Sequence, residues 1–423
     1  TSLTNKKKMR NMLFIVFLII IILIGRLGYI QLIQGKELSE LAYEQQTLDR
    51  AINPKRGTIY DATGTVLAQS STVETVTVNP GNISAENKEK IARTLAEIFE
   101  LDYEKVLKKV SKRSSIETIA KRVNKEKTDQ LREWMEENKI TVGINIDEDT
   151  KRYYPKGEFL AHVLGSTNVD GQGLTGVELQ YNEHLSGVPG VRISEIERNE
   201  ENLSYTISNF TEPIDGKDVT LTIDSKIQAI AEKVAEKGLV DNQAKRVSIM
   251  VMNPNNGEIL AMVNKPDFDP NNPFDGFEDF SGETDGEKLQ KMWRNSLVND
   301  TFEPGSIFKV VTMVTALEEG IASESDTFEC GGSLQVGSHT IKCWKTSGHG
   351  SQILPQILQN SCNVGFMKLG EKIGKETLNE YIKKLGFGKT TGIDLPGEAS
   401  GIVKKTENIT ESDLATISFG QTN

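Results

Sequence analysis

The stretch Glu303-Pro304-Gly305-Ser306-Ile307-Phe308-Lys309 decides how this 423-residue chain is read. The residues before it, Asn299-Asp300-Thr301-Phe302, carry no periodicity. After it, Ile307, Phe308, Val310, Val311, Val314 and Leu317 recur at intervals of three and four, which predicts a buried helix. Pro304 and Gly305 then make Ser306 its first or second residue. A hydroxyl there feels the positive end of the helix dipole, and Lys309 returns to the same face one turn later. This is a nucleophile with a base beside it. An ordinary lysine has a pKa of about 10.4, so service as a base near neutrality requires roughly 4 kcal/mol of desolvation and like-charge repulsion. A buried cleft is therefore expected around Lys309.

Two fixed letters on their own describe a helix cap and a solvated lysine more often than an active site. Ser306, however, is the only serine in the chain followed by a lysine three residues later, and Ser361-Cys362-Asn363 follows at a distance that suits a second catalytic element. Ser166-Thr167-Asn168 has the same Ser-x-Asn form but precedes the nucleophile. Ser-x-x-Lys followed by Ser-x-Asn is a pairing found in serine acyl-transfer enzymes that react with penicillins.

The length allows two or three domains, each with its own core. With 60 acidic against 49 basic residues, net charge −11, and no basic patch with interleaved aromatics, nucleic acid is not an expected partner. Three cysteines, Cys330, Cys343 and Cys362, are too few and too unevenly spaced to predict a metal site, and the four histidines do not cluster with them in sequence. No metal and no cofactor is expected.

At the N-terminus, Lys6, Lys7, Lys8 and Arg10 precede an unbroken apolar run from Met12 to Ile24. That run spans roughly 20 Å as a helix, and extension through Ile33 reaches bilayer length at the cost of including Arg26. An arginine near the outer end reaches the headgroups along its own stem. No small-x-small site follows, so an uncleaved anchor is preferred to a signal peptide. The cations place the N-terminus in the cytoplasm and everything after about Gly35 outside.

The pattern from Gln31 to about Arg50 is helical and polar. Arg56 to Asp61 and Thr65 to Ala68 read as a hairpin around Gly64. Glu86–Phe99, Asp102–Val110 and Lys127–Asn138 read as amphipathic helices with solvated charged faces. The glycines between Gly171 and Gly190 predict tight turns and close backbone approach, not a phosphate cradle. Residues 211–217 mark a boundary. Beyond it come a strand at Val219–Ile223, a helix at Lys226–Lys237 capped by Asp224 or Ser225, and a hairpin of Val247–Met252 with Ile259–Val263. Pro266–Gly286 is a polar loop. The expected fold class is α+β, a helical layer on a mostly antiparallel sheet. The expected division is a cytoplasmic tail 1–11, a transmembrane anchor 12–33, a non-catalytic α+β pedestal or dimerisation-type domain 34–212, and a catalytic domain 213–423.

Taken together these residues resemble the class B penicillin-binding proteins, membrane-anchored transpeptidases that cross-link peptidoglycan. The resemblance covers nearly the whole chain. Besides the two catalytic motifs it includes Arg56-Gly57-Thr58-Ile59-Tyr60-Asp61, Arg152-Tyr153-Tyr154-Pro155, His162-Val163-Leu164-Gly165, Gly176-Val177-Glu178, Leu185-Ser186-Gly187-Val188-Pro189-Gly190, Leu221-Thr222-Ile223-Asp224, Gly257-Glu258-Ile259-Leu260-Ala261-Met262 and Arg294-Asn295. Cys343-Trp344-Lys345 with Gly348-His349-Gly350 is similar to the division and sporulation branch.

The resemblance implies that Ser306 attacks the penultimate D-Ala carbonyl of a stem peptide, and that Lys309 takes its proton. Ser361 would relay that proton to the leaving amine, and Asn363 would hold the substrate amide. It also implies substrate contacts at Trp344 and Cys362, acylation by β-lactams, a membrane glycosyltransferase and other division proteins as partners, and a bacterial cell-membrane location. An extracytoplasmic location would permit a disulfide between Cys330 and Cys343, whose opening would alter active-site order. The alternatives are a scaffold of a cell-wall synthesis complex and a β-lactam sensor. The family's third motif, Lys-Thr/Ser-Gly, is absent. Lys389-Thr390-Thr391-Gly392 has one residue too many and reads as a turn. The sequence is expected to continue beyond Asn423, and residues 1–423 alone are not expected to form a competent enzyme.

Overall fold

The computed structural model describes residues 2–34, 47–114, 116–199 and 202–422. The chain is α+β, and its close contacts divide it into two compact units. The first unit is residues 1–60, 66–155 and 183–220; the second is residues 61–65, 156–182 and 221–423.

The first unit begins with the helix Ser2–Leu32. Within it, the 20 residues Met12–Gln31 have a mean hydropathy of 2.8, and none of that window is buried inside the protein. At 1.5 Å per residue such a helix is about 30 Å long, enough to cross a hydrocarbon core. Residues 35–46 of the expected polar helix lie outside the described residues. Thr47–Ile52, its predicted end, is instead a strand paired antiparallel with Gly190–Asn199. The partner strand lies far away in sequence, so local periodicity could not announce it.

The long strand Val66–Val78 organises the rest of this unit. It pairs antiparallel with Glu117–Val123 and with Ile144–Tyr153. Its start forms the expected hairpin with Ile59–Tyr60. Three helices, Ala85–Phe99, Tyr103–Val110 and Lys125–Glu137, lie at or within two residues of the predicted ranges. Their apolar residues Ile91, Leu95, Phe99, Val106, Val110 and Leu131 meet Val76, Val78 and Ile144 of the sheet in one core. Asp102 caps the second helix by accepting from the Lys105 N–H. Glu74 points from the sheet to Thr128 and Arg132, and the Arg132 guanidinium holds its carboxyl below the ordinary glutamate value. Arg152 donates to the Gly57 carbonyl at 2.7 Å, tying two of the quoted motifs together.

The second unit contains the hairpin Val247–Met252 with Ile259–Lys265, covered on one face by the helix Ser225–Asp241. Asp224 caps that helix through the N–H groups of Lys226 and Ile227. The predicted strand at Val219–Ile223 is only Val219–Thr220, which closes the first unit by pairing parallel with Ile59–Tyr60. The polar loop after Pro266 holds one short turn at Phe277–Asp279 before a helix starts at Asp285. Gly165 and Gly176 show what the glycine-rich segment is for. Both have positive φ, and a Cβ on Gly165 would lie 2.0 Å from the Thr175 carbonyl oxygen. A larger second core gathers Phe308, Ala316, Phe328, Leu354, Ile357, Phe366, Leu369 and Phe419.

Candidate active site

Ser306 sits in a 3-10 turn, Gly305–Phe308, that leads directly into the helix Lys309–Glu318. The buried face of that helix is not the apolar stripe read from the sequence. Ile307 is 70% exposed and Val310 54%, whereas Lys309, Thr312, Thr315 and Ala316 are at most 1% exposed. The reason is local. Turning Lys309 inward toward the Ser361 motif brings Thr312, Thr315 and Ala316 onto the inner side. The hydroxyls are satisfied there, Thr312 donating to the Ser418 carbonyl at 2.9 Å and Thr315 to Val311 at 2.8 Å.

The start of the turn is fixed by a backbone approach. Gly305 N–H donates to the Gly420 carbonyl at 2.8 Å, and Thr422 N–H donates to the Glu303 carboxylate at 2.8 Å. Gly420 has φ +85°, and a Cβ there would fall 2.0 Å from the Gly305 carbonyl oxygen. Only glycine meets both conditions.

The helix Leu354–Gln359 ends so that Ser361 has φ +48°, in the left-handed region that serine seldom occupies. Cys362 then caps the next helix, Asn363–Ile373, its sulfur accepting from the Gly365 N–H at 3.3 Å. The kink between two helices thus presents Ser361 and Asn363 on one side and buries Cys362 on the other. Such an outlier persists only where the surroundings over-determine it.

The Lys309 amine faces four oxygens. Its Nζ lies 3.1 Å from Ser306 Oγ, 2.8 Å from Ser361 Oγ, 2.8 Å from the Ser361 carbonyl and 2.8 Å from Asn363 Oδ1. Ser361 Oγ is also 3.0 Å from Ser306 Oγ. Among the described residues no carboxylate pairs with the amine. Burial pulls its pKa from 10.5 down to about 8, against a weaker opposing influence of Cys343 and Cys362. An ammonium has three protons for these four oxygens, whereas a neutral amine offers a lone pair that the Ser306 hydroxyl can donate to. The arrangement is that of a serine nucleophile with a buried lysine base and a second hydroxyl in contact with both.

Trp344 is 64% exposed and donates through its indole N–H to the Asn360 carbonyl at 3.0 Å, beside the Ser361 motif. Residues 389–392 lie in irregular chain, where the Thr391 and Gly392 N–H groups donate to the Glu398 carboxylate.

The cysteines require a correction. All three are free and buried, so no Cys330–Cys343 bridge is present. Nor do they stand apart from the histidines: Cys330, Cys343, His349 and Cys362 place their ligand atoms within 4.8 Å of one another. They lie thirteen, six and thirteen positions apart in sequence, a spacing with no short paired motif in it. Only the folding of short strands, Thr327–Cys330 with Gly350–Ile353 and Ser333–Val336 with His339–Lys342, brings them together. Burial, with the charges of Lys345 and Lys309, keeps His349 below its ordinary pKa, and burial pushes Cys362 up to about 12.

The geometry brings a serine hydroxyl, a buried lysine amine and a second serine hydroxyl together on an α+β unit. The chain belongs to the penicillin-binding proteins: residues 51–221 match the penicillin-binding protein dimerisation domain, and residues 247–423 the penicillin-binding protein transpeptidase domain. It is 36% identical to stage V sporulation protein D of Bacillus subtilis, over 100% of this chain and 63% of that protein. It is 30% identical to the peptidoglycan D,D-transpeptidase FtsI of Escherichia coli, over 94% of this chain and 64% of that protein. The chain thus spans less than two thirds of the length of these relatives. Among solved structures it is similar to a complex between penicillin-binding protein PBP2 and MreC from Helicobacter pylori, with TM-score 0.70 and 26% identity, covering 89% of this chain and 73% of that one.

Proposed function

We propose that this protein is a peptidoglycan D,D-transpeptidase acting through an acyl-enzyme on Ser306. The observation that carries the reading is the buried Lys309 amine, without a carboxylate partner among the described residues and in contact with Ser306 Oγ, Ser361 Oγ and Asn363 Oδ1. Neutral Lys309 takes the Ser306 proton as Oγ bonds to the penultimate D-Ala carbonyl of a stem peptide. The tetrahedral adduct collapses, the C–N bond breaks, and the proton passes through Ser361 to the leaving D-Ala amine. An amine of a neighbouring stem then attacks the ester; its proton returns by the same route and Ser306 is regenerated. Asn363 positions the substrate amide and fixes Lys309, and the exposed Trp344 indole offers a wall to the substrate. The Cys362 side chain is fully buried and its sulfur accepts from the Gly365 N–H, so its part is to shape the kink, not to touch the substrate. A β-lactam enters by the first half of this route and stays on Ser306.

The reading extends to location and partners. Residues 1–11 are assigned to the cytoplasm, 12–33 to the membrane, 34–212 to a pedestal and 213–423 to the transpeptidase domain outside the bacterial cell membrane, because four cations flank the apolar helix on its N-terminal side. A membrane glycosyltransferase and other division or sporulation proteins are the partners that fit. Residues 1–423 contain no Lys-Thr/Ser-Gly, so this stretch by itself is assigned little or no turnover.

The test is to supply the full-length protein with a pentapeptide stem substrate and an acceptor stem, and to follow D-Ala release and cross-linked product by mass. Both should appear with wild type and vanish with Ser306→Ala. Product formation that survives in the variant would sink the assignment.

A further inference from the structure

We propose that Phe366 is a positioning residue for the acyl transfer, its ring face lying against the Lys309 amine and setting how tightly that amine holds its proton. Lys309 Nζ stands over the Phe366 ring, 5.5 Å from the centroid. That is inside the roughly 6 Å within which a cation feels an aromatic face. Phe366 lies one turn along the helix Asn363–Ile373 from Asn363, so a single turn offers the amine both an oxygen and a ring. This role rests on Lys309 being the base for Ser306.

The packing around the ring leaves it no other position. Phe366 is 0% exposed and belongs to the core that holds Phe308, Leu354, Ile357 and Phe419. Its N–H donates to the Cys362 carbonyl at 3.1 Å. Gly365, just before it, sits so close to the preceding helix that a Cβ there would lie 2.6 Å from Ile357 Cγ2. The helices Leu354–Gln359 and Asn363–Ile373 are thereby held at one spacing, and the ring with them.

An aromatic face carries partial negative charge, so it attracts an ammonium and repels the lone pair of a neutral amine. Burial acts in the opposite sense and disfavours the ammonium. With no carboxylate pairing with Lys309 among the described residues, the ring face takes part of the place of a counter-ion and keeps the amine a strong base. It also helps to aim the lone pair. The Ser361 carbonyl and Asn363 Oδ1 can only accept, and the ring repels, so the lone pair is left to a serine hydroxyl. The other titratable groups that act on the amine are the Cys343 and Cys362 thiols, and the amine in turn acts with Lys345 on His349. A change confined to the Phe366 ring alters none of them.

The test replaces Phe366 in full-length protein with mono-, di- and trifluorinated phenylalanine, which draw charge off the ring face while nearly keeping its shape. Cyclohexylalanine at the same position fills the space without a π face. Two titrations are read in each protein. One is that of Lys309 itself, by the carbon NMR shift of isotope-labelled Cε, a signal assigned by its loss in Lys309→Met. The other is the pH dependence of penicillin acylation. Both midpoints should move down together with each added fluorine, by about one pH unit across the series, the equivalent of a desolvated cation–π contact. Cyclohexylalanine should move them at least as far. A Lys309 midpoint that stays in place or rises would overturn the role of the ring, whatever acylation does. A Lys309 midpoint that falls while acylation keeps its pH dependence would overturn Lys309 as the base, and the positioning role with it.

Discussion

The proposed chemistry turns on Lys309. A buried amine between Ser306 and Ser361 has only to lose its proton to become a base, and burial moves that loss to about 8. Below that pH the amine is an ammonium and cannot accept from Ser306, and above it the lone pair is free. Acylation by a penicillin should therefore rise with pH through about 8 and level off, and stopped assays of label incorporation between pH 6 and 10 would measure it. A flat profile would mean that another group takes the proton. Both members of this pair were legible, because a serine at a helix start followed by a lysine one turn on is local information. The inward turn of Lys309 was not. Apolar spacing pointed to the Ile307 and Val310 face, and only the contacts with Ser361 and Asn363, more than fifty residues on in sequence, turn the helix the other way.

At the scale of elements, the site depends on where backbones cross. Ser306 is held by the Gly305–Gly420 hydrogen bond, and the crossing leaves no room for a side chain at position 420. Gly420→Ala combines a left-handed φ with backbone overlap, a strain of about 1–3 kcal/mol placed on the nucleophile's own turn. Penicillin acylation should fall by roughly 10-fold or more, about the rate equivalent of 1.4 kcal/mol, while far-ultraviolet circular dichroism stays that of wild type. An unchanged rate would show that the crossing does not position Ser306. Long helices such as Ala85–Phe99 were readable to within a residue or two because their stripe repeats over several turns. The four-residue strands around the cysteines were not, since so few residues carry no measurable period. The Cys–His cluster was hidden for the same reason.

The whole molecule adds a unit that carries none of these groups. Its sheet and helices are joined through Glu74, whose carboxyl Arg132 holds below the ordinary 4.5. A depressed carboxyl contributes stability above its unfolded pKa of about 4.5 and loses it as pH falls through the lower folded value. Hydrogen exchange in full-length protein should show protection of residues 70–78 and 125–137 weakening as pH falls below 4.5. Arg132→Ala should weaken the same segments by about 1–3 kcal/mol at pH 7, a modest figure because the Arg132 side chain is 42% exposed. Unchanged protection of these segments in Arg132→Ala would contradict this role of the pair. The hairpin after Arg56 and the three helices of this unit were readable from pattern. The pairing of Thr47–Ile52 with a strand some 140 residues later was not, because register between distant strands leaves no local trace.

Ser306, as a nucleophile activated by Lys309, should be the residue that a penicillin acylates. The most direct test is to incubate full-length protein with a fluorescent penicillin and locate the adduct by peptide mass. One covalent adduct is expected, on the peptide containing Ser306, lost in Ser306→Ala and strongly slowed in Lys309→Met. A folded protein that takes no label, or one that carries it on another residue, would contradict it.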